Sequence, residues 1–453
     1  MKKSLLLYTF AAALGGLLFG FDTAVINGAM PFFTAYFGLT GAMQGWAVSS
    51  ALIGCLIGAL FIGRPGDYFG RRYMLKVLAF LFIISSVGTG SATSFTVFVI
   101  FRFIAGVAIG GSAVLSPMYI SEIAPPAQRG RLAITFQLAI VTGILVAFFS
   151  DYILLHTGEN NWRWMFMAGV VPATAFYILL FFVSRSPRWL VKTGRTEEAI
   201  KVLREVDPAT DAEKTVLEIR QSINTEVLSK NVYLFKKPYL RLILLGIAVG
   251  MFNQFTGINI IMYYATDIFR SAGFSTDSAI GQTVIIGFTN LFFTLIAMTI
   301  IDKVGRKKLL LFGSLGMTVF LSLFAALFLS GSTGGVYILL LLIGFIGCFA
   351  MSQGAVIWVL LSEMFPNNIR ARGSSVGSFS HWFFNALLTF LFPVLVTSFG
   401  STPDDRLTGV GYMFIFYAAA TFISFFFFRK YLVETKGKSL EEIERESVRA
   451  IDR

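Results

Sequence analysis

The sequence predicts an all-α membrane protein of twelve spans, and three observations carry that expectation. Hydrophobic residues fill 56% of the 453 positions and charged residues only 14%, against about 25% charged in soluble domains. Apolar runs of roughly 20 residues, enough to cross about 30 Å of hydrocarbon at helical rise, recur along the whole chain. Lys and Arg concentrate in alternate segments between those runs, as they do in loops kept on the cytoplasmic side of a bilayer.

Taken in order, spans are expected at 6–28, 43–62, 73–92, 95–118, 131–151 and 163–183, then at 239–267, 278–301, 308–329, 334–362, 373–398 and 407–429. The first run begins after Lys2 and Lys3, like a secretory leader. It continues to about residue 28, carries Asp22 and shows no small-residue cleavage pattern, so a retained helix is expected. Basic segments hold Arg64, Arg71, Arg72, Arg129, Arg131, Lys303, Arg306, Lys307, Arg370 and Arg372, whereas 29–42, 93–95 and 330–335 are nearly free of charge. Both termini are therefore expected on the cytoplasmic side, which requires an even number of spans. The polar stretch 184–238 has helical spacing around Glu197–Leu203 and reads as short surface helices at the membrane face; a further helix is expected at 439–449. The expected division is a six-helix half at 1–184, a cytoplasmic helical linker at 185–238, a second six-helix half at 239–430 and a tail at 431–453.

Composition also excludes function classes. The net charge of +12 sits in short loops between apolar runs, which speaks for membrane topology and against nucleic-acid binding. Cys55 and Cys348 lie in separate runs and read as packing residues rather than a disulfide. The sequence offers no nucleophile–base set, metal-ligand cluster or phosphate-cradling loop, so neither an enzyme nor a cofactor is expected.

Two ionisable residues interrupt the spans. Asp22 lies in Gly20-Phe-Asp-Thr-Ala24 of the first run and Arg102 lies in the fourth. Each costs several kcal/mol in hydrocarbon unless paired or wetted. Counted from the expected outer ends of their spans, both lie roughly 9–10 Å deep at helical rise, so they can pair. Such a pair either holds two helices permanently or carries a proton.

An internal repeat organises the loops. Asp67-Tyr-Phe-Gly-Arg-Arg72 recurs as Asp302-Lys-Val-Gly-Arg-Lys307, 235 positions later (67 to 302). Ser121-Glu122, Pro125 and Arg129 recur as Ser362-Glu363, Pro366 and Arg370, 241 positions later (121 to 362). Ser186-Pro-Arg-Trp has a looser counterpart in Glu434-Thr-Lys-Gly. Three landmarks in register make the chain a six-plus-six duplication with halves of one orientation. This is the parallel-repeat plan of a class of secondary transporters that bind substrate near the midplane. Asp67, Arg71, Arg72, Glu122, Arg129, Asp302, Arg306, Glu363 and Arg370 are then candidates for a cytoplasmic gate whose charge-assisted bonds form in one state and break in another; static loop anchoring is the competing reading.

These same residues carry a resemblance. Gly63-Arg-Pro-Gly-Asp-Tyr-Phe-Gly-Arg-Arg72, Pro117-Met-Tyr-Ile-Ser-Glu-Ile-Ala-Pro125, Ser186-Pro-Arg-Trp-Leu190, Asn253-Gln-Phe-Thr-Gly-Ile-Asn-Ile-Ile-Met-Tyr-Tyr264 and Glu434-Thr-Lys-Gly-Lys-Ser-Leu440 resemble motifs of the sugar porters of the major facilitator superfamily, bacterial xylose–proton and glucose–proton symporters in particular. The resemblance implies the major facilitator fold of two pseudo-symmetric halves. It implies proton-coupled monosaccharide symport by alternating access, with Asp22 and Arg102 as the coupling pair. It also implies sugar contacts at Gln254 and Asn259, with Gln137, Asn290 and Trp358 matching further sugar-site positions. Tyr263 matches an aromatic that closes the outer side, and Phe19 one that lines the first helix. Several positions depart from the pattern. Asn253 stands for the first Gln of a pair, and His381-Trp382 stands for Gln-Trp; both are kept as candidate sugar residues. Arg185 replaces a Glu before Ser-Pro-Arg, and Val433 replaces the usual Pro of the tail motif.

The residue chemistry suits this without the family. Side-chain amides both donate and accept, so they complement hydroxyls without adding charge, and an indole face covers the apolar side of a sugar ring. Gln254 and Asn259, five apart, sit about 140° apart on an ideal helix, so Gly257 between them is expected to break the helix and let both face one cavity. The alternative is that these amides only bridge neighbouring helices. His381 either packs as a hydrogen-bonded residue, touches sugar, or titrates. The competing functions are a facilitative uniporter, which the presence of Asp22 argues against, a non-transporting sugar sensor, and drug or cation efflux. The expected partners are a monosaccharide, a proton and a lipid bilayer, with a monomer working in a bacterial inner membrane.

Overall fold

The structure, a computed structural model, describes residues 3–125, 128–208, 210–228, 239–331, 335–365, 369–399, 402–434 and 436, with the side chains at 129–131, 133, 224–228, 302, 335, 362–363, 370–371 and 403–404 outside the description. The helix expected at 439–449 lies outside the described residues. Among the described residues every regular element is an α-helix. The first unit of the sequence supplies α1 (Lys3–Phe37), α2 (Gly41–Phe61), α3 (Gly63–Phe69), α4 (Arg71–Gly90), α5 (Phe95–Ile123), α6 (Arg129–Leu154), α7 (Asn161–Ala168) and α8 (Val170–Leu179). The linker folds as α9 (Pro187–Lys192), α10 (Thr196–Val206) and α11 (Ala212–Leu228). Then follow α12 (Tyr239–Gln254), α13 (Ile258–Ser271), α14 (Thr276–Val304), α15 (Arg306–Leu329), α16 (Gly335–Met351), α17 (Gln353–Glu363), α18 (Arg370–Ser398) and α19 (Pro403–Tyr431).

Eleven stretches among the described residues are helical, long and apolar enough to cross a membrane. The sixth expected span, 163–183, is the difference. It is formed by α7 and α8, which abut at Gly169, itself at helical angles (φ −60°, ψ −19°). Pro172 explains the division: it has no N–H to give to the carbonyl of Ala168, four residues before it. Apolar side chains cover the outside of the long helices, with Phe312 73% and Phe61 69% exposed, as lipid contact requires.

Helix starts follow ordinary capping chemistry. Ser94 accepts from the backbone N–H of Val97, and Ser275 from that of Ser278. Thr402 and Asp405 cap one another's backbone at the start of α19. The linker helices obey the same rules. Ser186 caps α9 with Pro187 in its first turn, and α10 carries Glu197 and Glu198 in its first turn and Arg204 in its last, each sign suiting its end of the helix dipole.

The chain packs as two compact units. One holds residues 1–25, 53–147 and 163–232; the other holds 26–52, 148–162 and 233–453. The second half of α1 therefore packs with the C-terminal helices: Asn27 Oδ1 accepts from the backbone N–H of Thr266 at 2.8 Å. Cys55 and Cys348 are both free thiols.

Candidate functional site

In the first unit, Asp22 on α1 meets Arg102 on α5. Arg102 Nη1 donates to both carboxylate oxygens, at 2.8 and 2.9 Å, and Nη2 reaches the Asp22 carbonyl at 3.5 Å. The Arg102 side chain is 2% exposed and that of Asp22 13%, so the pair is shielded and each charge depends on the other. The guanidinium also lies 5.4 Å from the Phe166 ring centre. The span-depth count that made the two residues partners is matched by this contact. The carboxylate can take a proton, and doing so removes the charge that holds Arg102.

In the second unit, the seventh expected span breaks where the sequence placed the break. Gly257 adopts φ 78°, ψ 9° between α12 and α13, a left-handed conformation that glycine takes without steric cost. A β-carbon there would lie 2.7 Å from the Tyr417 ring. Thr256 bridges the gap, giving its hydroxyl to the Asn253 carbonyl at 2.7 Å. The break brings Asn259 back over Gln254, so that Asn259 Nδ2 donates to Gln254 Oε1 at 2.6 Å. Gln254 Nε2 donates to Asn253 Oδ1 at 3.0 Å, and Asn253 Nδ2 donates to Gln353 Oε1 at 3.3 Å. The second hydrogen of Gln254 Nε2 points at His381, 2.9 Å from Nδ1 and 3.2 Å from Nε2. A neutral imidazole has one acceptor nitrogen, which takes this bond. The His381 ring lies 4.8 Å from Trp358 and 5.5 Å from Trp382, centre to centre. Tyr263 receives Asn385 Nδ2 on its hydroxyl at 3.4 Å. Asn290, on α14, is buried in the same unit. Gln137 and Phe19 belong to the first unit, on α6 and α1.

The charged loops are partly described. Arg71 pairs with Asp67 at 2.7 Å and with Glu122 at 3.0 Å, and Ser186 donates to Glu122 at 2.5 Å. Lys192 adds a bond to Asp67 at 3.0 Å. Burial pushes the Asp67 carboxyl up, but the Lys192 hydrogen bond and the Arg71 charge outweigh it and hold it below the ordinary carboxylate range. Arg72 donates to the carbonyls of Leu180 and Phe181 at the end of α8, at 3.0 and 2.7 Å. In the repeat copy, Glu434 accepts from the backbone N–H groups of Arg306 and Lys307 at 2.9 and 3.1 Å. The side chains of Arg129, Asp302, Glu363 and Arg370 lie outside the described residues.

Comparison with known proteins places this geometry. The profile of the family described as "Sugar (and other) transporter" matches residues 8–446. The chain belongs to that family. Within it, this transporter-family chain is 37% identical over 446 residues to the arabinose-proton symporter of Bacillus subtilis, covering 97% of this chain and 94% of that one. It is 36% identical over 475 residues to the D-xylose-proton symporter of Escherichia coli K12, covering 96% and 94%. Its structure matches the partially occluded inward-open conformation of the xylose transporter XylE from E. coli with a TM-score of 0.85, at 35% identity over 97% of this chain and 100% of that one. It matches the proton:xylose symporter XylE bound to 6-bromo-6-deoxy-D-glucose, a major facilitator superfamily protein, with a TM-score of 0.79, at 36% identity over 98% and 99%. Membership makes this an integral membrane transporter of the major facilitator fold and not an enzyme.

Sequence reasoning about this sugar-transporter-family chain passed over four residues that the fold makes prominent. Gln353 is fully buried at the start of α17 and closes the amide row. It faces α12 because the helix is interrupted at Ser352, whose φ −124° and ψ −95° are not helical. Asn385 reaches Tyr263 from α18. Asp151 is fully buried with its carboxylate against Gly28 of α1, and Asn27 binds the α13 backbone. Asn27 and Asp151 lie at or next to the ends of the spans expected at 6–28 and 131–151, where hydropathy does not reveal burial. An amide or acid within two residues of a span end was the available signal.

Proposed function

We propose that the chain is a proton-coupled monosaccharide symporter working by alternating access. The single observation that carries this reading is the shielded Asp22–Arg102 pair, an acid in an apolar helix with a partner that must be released for the carboxylate to take a proton. The named functions of the arabinose and xylose symporters support it. Asn253, Gln254, Asn259, Tyr263, Asn290, Trp358, His381 and Trp382 are read as the sugar site of the second half, with Gln137 and Phe19 contributed by the first.

Coupling follows from linkage. Burial and the Arg102 charge act in opposite directions on the proton affinity of Asp22, so any movement of α5 against α1 changes it. Sugar and proton become coupled when both favour the same closed state. The halves 1–184 and 239–430 are read as the two rocking bodies, joined by the linker 185–238, with the charged loops as the cytoplasmic gate and the segment 431–453 as a tail. Alternating loop charge supports a cytoplasmic side for both termini; the reading takes a bacterial inner membrane as the site and the monomer as the working unit.

The test is uptake of labelled pentoses, hexoses and polyols into proteoliposomes with and without an imposed inward proton gradient. Accumulation of one sugar above equilibration under the gradient is expected. Equilibration alone, for every sugar and under every gradient, would replace symport by facilitated diffusion.

A further inference from the structure

The two copies of the repeated loop turn alike and are finished differently. Gly305, at φ 101°, turns α14 into α15, and Glu434 lays its carboxylate on the first amide N–H groups of α15. Gly70, at φ 92°, makes the same turn into α4. The corresponding motif of the first half carries Arg185 at the place of Glu434. No side-chain oxygen accepts from the N–H groups of Arg71 or Arg72 among the described residues.

A cavity of about 260 Å³ opens at this bare helix start, lined by Arg71, Arg72, Lys76, Arg185, Ser186 and Trp189 together with Gly70 and aromatic side chains, and by no Asp or Glu. The Arg71 charge is matched by Asp67 and Glu122, and Arg72 is spent on two carbonyls that carry no charge. The Lys76 ammonium stands 3.5 Å from the Phe181 ring centre, and the Arg185 guanidinium lies 5.3 Å from the Trp189 ring. Gly70 packs on the face of the Trp189 indole, whose nearest atoms lie 3.0–3.3 Å from where a β-carbon would be. Cations and the uncapped start of α4 thus border one space that holds no carboxylate.

We propose that this cavity binds a phosphate group, occupying for the first half the position that the Glu434 carboxylate fills in the second. Several separated oxygens suit the α4 amides, the Lys76 ammonium and a guanidinium fork better than one side-chain carboxylate does. Tyr73 and Phe69, 56% and 53% exposed, flank the opening as residues of a membrane–water boundary do. The phosphate therefore comes either from an anionic lipid headgroup or from a free phosphate in solution.

Binding is read without transport, so the proposal stands or falls apart from the symport reading. The full chain in detergent is unfolded thermally in rising inorganic phosphate, against chloride at matched ionic strength. A second arm uses nanodiscs of phosphatidylcholine with and without phosphatidylglycerol. A saturable rise in the unfolding midpoint is expected in at least one arm, the first identifying a soluble anion and the second a lipid. Arg185→Gln should raise the half-saturating concentration about tenfold, the worth of one charge-assisted contact. Arg185→Glu restores a carboxylate to the helix start; it should unfold at a higher temperature without added anion and show no further rise. Flat midpoints in both arms, a rise that chloride reproduces, or an Arg185→Glu protein that responds as fully as the parent would each overturn the site.

Discussion

The two polar sites buried in apolar helices meet the same cost by opposite means. Asp22 and Arg102 carry full charges and satisfy each other through one guanidinium nitrogen and two carboxylate oxygens. Asn253, Gln254, Asn259 and Gln353 carry none, and bond one another in a row from Asn259 to Gln353, with His381 joined to it at Gln254. A charged pair is all-or-nothing: removing one member strands the other, which costs about 3–5 kcal/mol in protein interiors. A neutral row is graded, since each hydrogen bond is worth about 0.5–1.5 kcal/mol net and can be exchanged for another. The first arrangement suits a switch, the second a surface that trades its own bonds for those of a hydroxyl-rich ligand.

The sharpest way to break this contrast is Asp22→Asn, which keeps the shape and removes the charge. Uphill uptake in proteoliposomes should vanish while sugar counterflow persists; uphill uptake that survives would place the coupling elsewhere. Gln254→Ala removes the centre of the amide row and should raise the half-saturating sugar concentration roughly 10- to 100-fold, the loss of one to two hydrogen bonds left unmatched. Initial rates over a concentration series read this directly, and a change below about threefold would reduce Gln254 to a bridge between helices. His381→Gln substitutes an amide oxygen for the ring acceptor and should shift affinity by less than about tenfold with uphill uptake intact. Its loss would transfer the proton to His381. The smallest effect belongs to Asp67. Its carboxyl is held below the ordinary range, so the stability it lends is present above about pH 4 and is lost as the pH falls through its folded value. Because the group is half exposed and screened, the parent and Asp67→Asn unfolding midpoints should differ slightly near neutrality and converge in acid.

How much of this was legible follows from what each signal depends on. A charge inside an apolar run stands out whatever its neighbours, and counting residues at helical rise was enough to set Asp22 against Arg102. Gly257 announced the break in the seventh span because only the chain's own geometry is involved. The tenth span hid its interruption: Ser352 is an ordinary residue in a helix, yet its angles are not helical and its hydroxyl turns back to the Cys348 carbonyl. Gln353 was therefore invisible as a partner of Asn253. Pro172 was in plain sight, yet its effect depends on whether the helix bends or divides. Asp151 shows the limit from the other side, since a carboxylate next to a span end is either wet or buried according to what another helix lays over it.

The amide row also has a sense of direction. From Asn259 to Gln254 to Asn253 to Gln353 every amide gives its N–H to the next oxygen, so the dipoles line up head to tail and reinforce one another. Rotating any interior amide end for end would set two donors or two acceptors face to face, as in a misplaced proton in ice. The row therefore reverses as a whole or not at all. Its far end is the Gln353 Nε2 amine, without a hydrogen-bond partner among the described residues. A molecule offering an oxygen there would extend a chain of three hydrogen bonds that begins at Asn259.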